Sequence, residues 1–133
     1  MRATGHFEVK LAPLETYNRD PDASLGRMSL DKVFAGDLQA TSKGEMLSAG
    51  SPQSGSAGYV AIERVTGALN GRTGSFSLQH NATMHRGTFS LNIIVVPGSA
   101  TGELEGLSGA MNIIIADGRH SYEFDYEFPE NAR

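Results

Sequence analysis

Three groups of residues in this 133-residue chain have the types and spacing to do chemistry. The first lies in Gly58 to Leu69, where Tyr59, Ala61, Glu63 and Val65 fall on one side of a two-residue alternation. Val60, Ile62 and Arg64 fall on the other. A carboxyl buried on the apolar side would have a raised pKa and could act as a general base. The competing reading pairs Glu63 with Lys32 or an arginine, or leaves it solvated. The second group is His80, which shares a face with Phe76, Leu78, Ala82 and Met84. An imidazole there could shuttle protons in a pocket, as the acid beside a Glu63 base, or sit in a core with one satisfied hydrogen bond. Its neighbours Gln79 and Asn81 point the other way. They would line a polar lumen if the apolar face packed outward. The third group is His120, Tyr122 and Tyr126, at even spacing near the end of the chain. They could bind a carboxylate or carbonyl, or form an aromatic ladder in the core. The expected catalytic pair is therefore Glu63 and His80. The expected ligand contacts are Tyr59, Gln79, His120, Tyr122 and Tyr126.

Other chemistries find no pattern. The chain has no cysteine, so disulfides, thiolate nucleophiles and Cys-held metals are excluded. His6, His80, His85 and His120 show no ligand spacing, so no metal site is expected. No serine sits in a Gly-x-Ser-x-Gly elbow. Gly98, Gly102, Gly106 and Gly109 recur without the fingerprint of a phosphate loop, and no cofactor is expected. Asn81-Ala82-Thr83 fits a glycosylation sequon, which matters only for a secreted chain.

Net charge is −4, and the basic residues are scattered singly. Binding to nucleic acid or to an anionic membrane surface is disfavoured for lack of a basic footprint. The alternating Met1 to Lys10 lacks the apolar run of a signal peptide. The longest apolar run, Ile93 to Pro97, is too short to cross a bilayer. A cytoplasmic location is the resulting expectation.

The elements that must position these groups are strands. Alternation with a period of two recurs, and helical periodicity does not. Phe7, Val9 and Leu11 mark a first strand ended by Pro13; Leu14 to Ser24 reads as a loop with the turn pair Asp20-Pro21. Met28, Leu30, Lys32 and Phe34 share one face of a second strand, and Leu38 to Ser48 is a third. Ala49 to Ala57, rich in Ser and Gly, reads as a mobile loop. The fourth strand is Gly58 to Leu69. Asn70-Gly71 is a hairpin signal into a fifth, Gly74 to Met84. His85-Arg86-Gly87 turns it into a sixth, Thr88 to Val96. A short helical turn is expected around Glu103 to Leu107. A seventh strand carries Met111, Ile113 and Ile115, and Asp117-Gly118 leads into an eighth, Arg119 to Phe128. The tail from Pro129 is polar and expected to fray.

Eight strands in series, joined by tight turns, predict an all-β chain: a closed antiparallel eight-stranded meander barrel spanning residues 1–133 as one domain. Closure removes exposed edges. A two-sheet sandwich is the alternative. A barrel of eight strands is filled by side chains or holds one small ligand.

Four runs of sequence carry a resemblance. They are Gly58-Tyr59-Val60-Ala61-Ile62-Glu63-Arg64-Val65-Thr66-Gly67, Gly71 to His80, Val95 to Leu104, and His120-Ser121-Tyr122-Glu123-Phe124-Asp125-Tyr126. In this order they resemble a family of small bacterial proteins of unknown function, whose members look like barrels of the allene oxide cyclase type. The resemblance covers nearly the whole chain and is weakest in Leu14 to Ser24 and Ala49 to Ala57. It implies a calycin-like barrel rather than an activity. Allene oxide cyclases cyclise an apolar fatty-acid epoxide inside the barrel, and none of their catalytic residues can be matched to positions here.

Three functions follow as expectations. The lumen could bind a small apolar or amphipathic molecule, which is the reading preferred. The barrel could be a cofactor-free isomerase or cyclase with Glu63 as base and His80 or Tyr122 as acid. A filled barrel could instead act through its surface as an oligomer. A homo-oligomer is expected if the outer face of Leu91 to Val96 is apolar.

Overall fold

The computed structural model describes residues 1–129. The strands are β1 (Arg2–Pro13), β2 (Leu25–Gly36), β3 (Leu38–Ser51), β4 (Ser56–Leu69), β5 (Arg72–His85), β6 (Thr88–Val95), β7 (Thr101–Gly102), β8 (Ser108–Ala116) and β9 (Arg119–Glu127). Eight of them close a ring in the order β1-β2-β3-β4-β5-β6-β8-β9, and every pairing is antiparallel. The two-residue β7 adds a rung to the lower half of β5. One circuit of the register starts at Pro13, passes through Met28, Met46, Ala61, His80 and Ile93, crosses to Met111 and Phe124, and returns at Ala3. Those ten residues of stagger on β1 tilt the strands and give a closed barrel of small bore.

The turns follow from their residues. Asn70-Gly71, Arg86-Gly87 and Asp117-Gly118 all take positive φ at both central positions. That is the primed turn whose twist matches a two-residue hairpin. Asp20 accepts a hydrogen bond from Asp22 N–H and caps a short 3₁₀ turn, Pro21–Ala23, before β2. The turn at 103–106 is closed by hydrogen bonds from Leu104 N–H to Thr101 O and Leu107 N–H to Leu104 O.

Alternation decides which side faces in. On β2, Leu30, Lys32 and Phe34 are buried while Val33 is 57% exposed. On β4, Ala61, Glu63 and Val65 are buried and Val60 and Ile62 stand outside. On β5, Phe76, Leu78, His80 and Ala82 face in. The lumen is thus lined by the predominantly apolar set, and Gln79 and Asn81 are exposed on the outer wall.

The structure departs from expectation in the Ser/Gly-rich segment. Ala49 to Ala57 is no mobile loop: β3 and β4 run on through it and pair as far as Ser51 with Ser56, leaving a single turn around Pro52–Ser54. Small residues carry no hydropathy period, yet their backbone amides pair as well as any others. The outer face of β6 is polar, with Ser90 and Asn92 exposed. The apolar outer surface lies instead on β2 to β4, at Val33, Leu47, Val60 and Ile62. The polar tail beyond Pro129 lies outside the described residues.

One end of the lumen is solid. Phe76 stacks on Phe124 with ring centroids 5.9 Å apart, and Phe124 on Tyr126 at 5.4 Å. Leu104 and Leu107, from the turn after β7, are buried with Leu38, Leu69 and Val65 to complete this plug. The Tyr122 hydroxyl donates to Ala35 O at 2.8 Å and accepts from Leu38 N–H at 2.9 Å, tying β9 to the β2–β3 turn. Tyr126 Oη accepts from Asn70 Nδ2 and ties β9 to the β4–β5 turn in the same way.

Candidate functional site

Midway along the barrel the apolar lining is interrupted by four polar side chains, each buried: Lys32, Ser42, Glu63 and His80. They converge because the register brings them together. Lys32 on β2 lies opposite Ser42 on β3, and Ala61, two residues from Glu63 on the same face, lies opposite His80. Glu63 itself lies opposite Gly44. Nothing larger than glycine fits at Gly44, since an added Cβ would stand 2.0 Å from Ile62 O and 2.6 Å from Glu63 Cα. This close approach of β3 to β4 brings Ser42 within reach of the carboxylate.

Glu63 is the hub. Its Oε1 accepts from Ser42 Oγ at 2.7 Å. Its Oε2 accepts from Lys32 Nζ at 2.8 Å and contacts His80 Nε2 at 2.5 Å. The Lys32 ammonium also sits over the Phe7 ring, 4.8 Å from its centroid. Burial alone would raise the Glu63 pKa. The His80 hydrogen bond, the Lys32 charge and hydrogen bond, and the His80 charge outweigh burial and lower it to about 2. The structure thus realises the competing reading, a Glu63 paired with Lys32, rather than a base with a raised pKa: the His80 hydrogen bond first, and then Lys32, reverse the sign that burial alone would give. A carboxylate with both oxygens occupied and so low a pKa is a poor proton acceptor. What it does well is hold an imidazole in place.

Above this layer the lumen opens into a cavity of about 340 Å³. Its wall includes Met28, Met46, Ser48, Tyr59, Ala82, Met84 and Phe89. Each of four strands descends from that wall to the polar layer: Met28 to Lys32, Met46 to Ser42, Tyr59 to Glu63, and Ala82 to His80. Tyr59 is half-buried, and burial followed by the nearby Glu63 charge raises its pKa, so the phenol keeps its proton. Neither Tyr59 Oη nor His80 Nδ1 has a hydrogen-bond partner among the described residues. Tyr59 lines the cavity; His80, 3% exposed, is not part of its wall and borders the groove on the outer side of the barrel.

The candidate residues thus separate. Glu63 and His80 are brought into contact, and Tyr59 stands at the cavity beside them. Gln79 lines no lumen: β5 turns it outward, into an open outer groove with Leu47, Val60 and Ile62. Tyr122 and Tyr126 belong to the plug, where backbone and Asn70 groups already occupy their hydroxyls. His120 packs on Phe7, ring centroids 5.2 Å apart, beside a wide polar groove between the start of β9 and β1. That groove is larger, about 800 Å³, but none of the converging polar side chains lines it. Lys32 was legible as a charge on an apolar face. Ser42 and the methionine wall had no signal before the register was known.

A cation would find little here. Glu63 and His80 are adjacent, but their third neighbour is the Lys32 ammonium, which repels it. Among the described residues no group of three or more His, Cys, Asp or Glu could hold a metal ion.

Comparison with known proteins places the whole barrel. A family model described as a protein of unknown function, DUF3224, matches residues 3–126. The chain belongs to the DUF3224 family. Its fold is shared by the crystal structure of a DUF3224 protein of unknown function from Shewanella oneidensis MR-1. The two are 52% identical, each is covered over 97% of its length, and the TM-score is 0.92. No curated protein matches the chain. No helix among the described residues is long and apolar enough to cross a membrane.

Proposed function

We propose that this DUF3224 chain binds a small, largely apolar molecule in the open half of its barrel. The observation that carries the reading is the cavity of about 340 Å³ walled by Met28, Met46, Tyr59, Ala82 and Met84. Methionine side chains adapt to irregular apolar shapes, and such pockets with few convergent polar groups are the usual form of a ligand site. The polar layer beneath would give such a molecule an orientation, polar end down.

The test is fluorescence titration with 1-aminoanthracene, with mass spectrometry of organic extracts of the purified protein alongside. The expected result is saturable binding, one dye per chain, lost in Ala82→Phe, which fills the cavity from a position 3% exposed. Absence of dye binding by the wild type, or equal binding by a folded Ala82→Phe, would overturn the reading.

A further inference from the structure

The floor of the cavity and its wall differ in kind. In the floor, Lys32 Nζ, Ser42 Oγ and His80 Nε2 all contact the Glu63 carboxylate, and all four side chains are buried. In the wall, none of the described residues carries a charged side chain, and the inward polar groups are two hydroxyls, Ser48 and Tyr59. We propose that Tyr59, with Ser48 beside it, donates to the oxygen of a neutral ketone or ester, so that the cavity takes an apolar carbonyl compound and rejects the carboxylate of the same length. This inference rests on the binding reading above and deepens it by naming the ligand class.

The two hydroxyls share one row of the sheet. Ser48 on β3 and Tyr59 on β4 are direct partners in the register. The Cβ atoms of such a pair stand roughly 4.5–5.5 Å apart on the same face, which is the inward one here. Thr83, the third hydroxyl at the wall, alternates to the outer side of β5. The Tyr59 phenol is half-buried and keeps its proton, since burial, and after it the nearby Glu63 charge, raise its pKa. With no partner among the described residues, it is a donor open to an acceptor that enters the cavity.

Charge decides which acceptor. One or two donors satisfy a carbonyl oxygen. A carboxylate brings about four lone-pair sites and a full charge, and removing it from water is far more costly unless a cation meets it. The wall holds no cation. Lys32, in the layer below, is 5% exposed and bound to Glu63 at 2.8 Å, and His80 is outside the wall. The charge felt at the Tyr59 phenol is that of Glu63, which repels a second carboxylate. A cavity of about 340 Å³ stands at the small end of ligand sites and suits a short alkyl chain.

The experiment is competition against 1-aminoanthracene at pH 7 with three compounds of equal carbon count: 2-nonanone, methyl octanoate and nonanoate. The two neutral compounds are expected to displace the dye at concentrations on the order of tenfold below nonanoate. Tyr59→Phe should weaken 2-nonanone roughly three- to tenfold, and Ser48→Ala about twofold, narrowing its advantage over nonanoate. Each variant removes one oxygen from a half-buried side chain, and thermal melts check that both remain folded. Nonanoate displacing the dye as well as 2-nonanone does would overturn the charge selection and leave the cavity reading standing. An unchanged 2-nonanone affinity in Tyr59→Phe would overturn Tyr59 as the donor. Dye binding with which neither neutral compound competes would overturn carbonyl recognition. If the dye itself does not bind, the cavity reading falls and this inference with it.

Discussion

The two ends of this barrel are built from the same strands by the same alternation, yet one is solid and the other hollow. At the closed end the inward positions carry Phe76, Leu78, Phe124 and Tyr126, and the turn after β7 adds Leu104 and Leu107. At the open end the corresponding positions carry Ser48, Ala57, Ala82 and three methionines. Side-chain volume at inward positions, not strand geometry, makes the difference. The polar layer of Lys32, Ser42, Glu63 and His80 sits where the two halves meet. A buried ion pair contributes little stability against an apolar replacement.

The contrast can be broken at its strongest point first. Phe124→Ala, in the plug, should cost roughly 4 kcal/mol in urea denaturation, whereas Met84→Ala at the half-buried rim should cost less than about 1 kcal/mol. Equal losses at the two ends would mean that the rim is packed as tightly as the plug. Next comes the layer between them. Lys32→Met strands the Glu63 carboxylate and should cost about 3 kcal/mol, and adding Glu63→Leu should recover most of it. A double variant no more stable than Lys32→Met would show that the pair itself holds the fold.

Acid tests the same layer without mutation. The Glu63 pKa is lowered from its ordinary 4.5 to about 2 in the folded state. A depressed carboxylate contributes stability above the unfolded value, and that contribution is lost as pH falls through 4.5 toward 2. It amounts to roughly 3 kcal/mol. Unfolding free energies at pH 6, 4 and 3 should fall along this curve in the wild type, and that share of the fall should vanish in the Lys32→Met, Glu63→Leu double variant. The smallest expected effect is Tyr122→Phe. It leaves Leu38 N–H without its acceptor inside the plug and should cost about 1–2 kcal/mol, with dye binding at the far end unchanged.

Much of this is legible in the sequence. The hairpins at Asn70-Gly71 and Asp117-Gly118 followed from turn chemistry, and the barrel from the count of alternating segments. Glu63 and His80 stood out as polar groups on apolar faces. What could not be read was register. Alternation groups Glu63 with Tyr59, Ala61 and Val65, and His80 with Phe76 and Leu78, but leaves open which face lines the lumen, and only the pairing of Ala61 with His80 and of Lys32 with Ser42 makes them neighbours. For the same reason Tyr122 and Tyr126 looked like ligand contacts: an aromatic ladder reads alike in a plug and in a pocket. Gln79 was misplaced because its face depends on whether the apolar side turns in. The pairing at Ser51 to Ser56 was hidden by residues too small to show a period.

The methionines offer the most direct measurement. Met28, Met46 and Met84 line the open half, while Met111 is buried on β8 away from the cavity. With ¹³C-methyl methionine, titration with 1-aminoanthracene should shift the Met28, Met46 and Met84 methyl signals together and leave Met111 in place. A shift confined to Met111, or no shift at the three wall methyls while dye binds, would place the ligand elsewhere and contradict the hollow-end account.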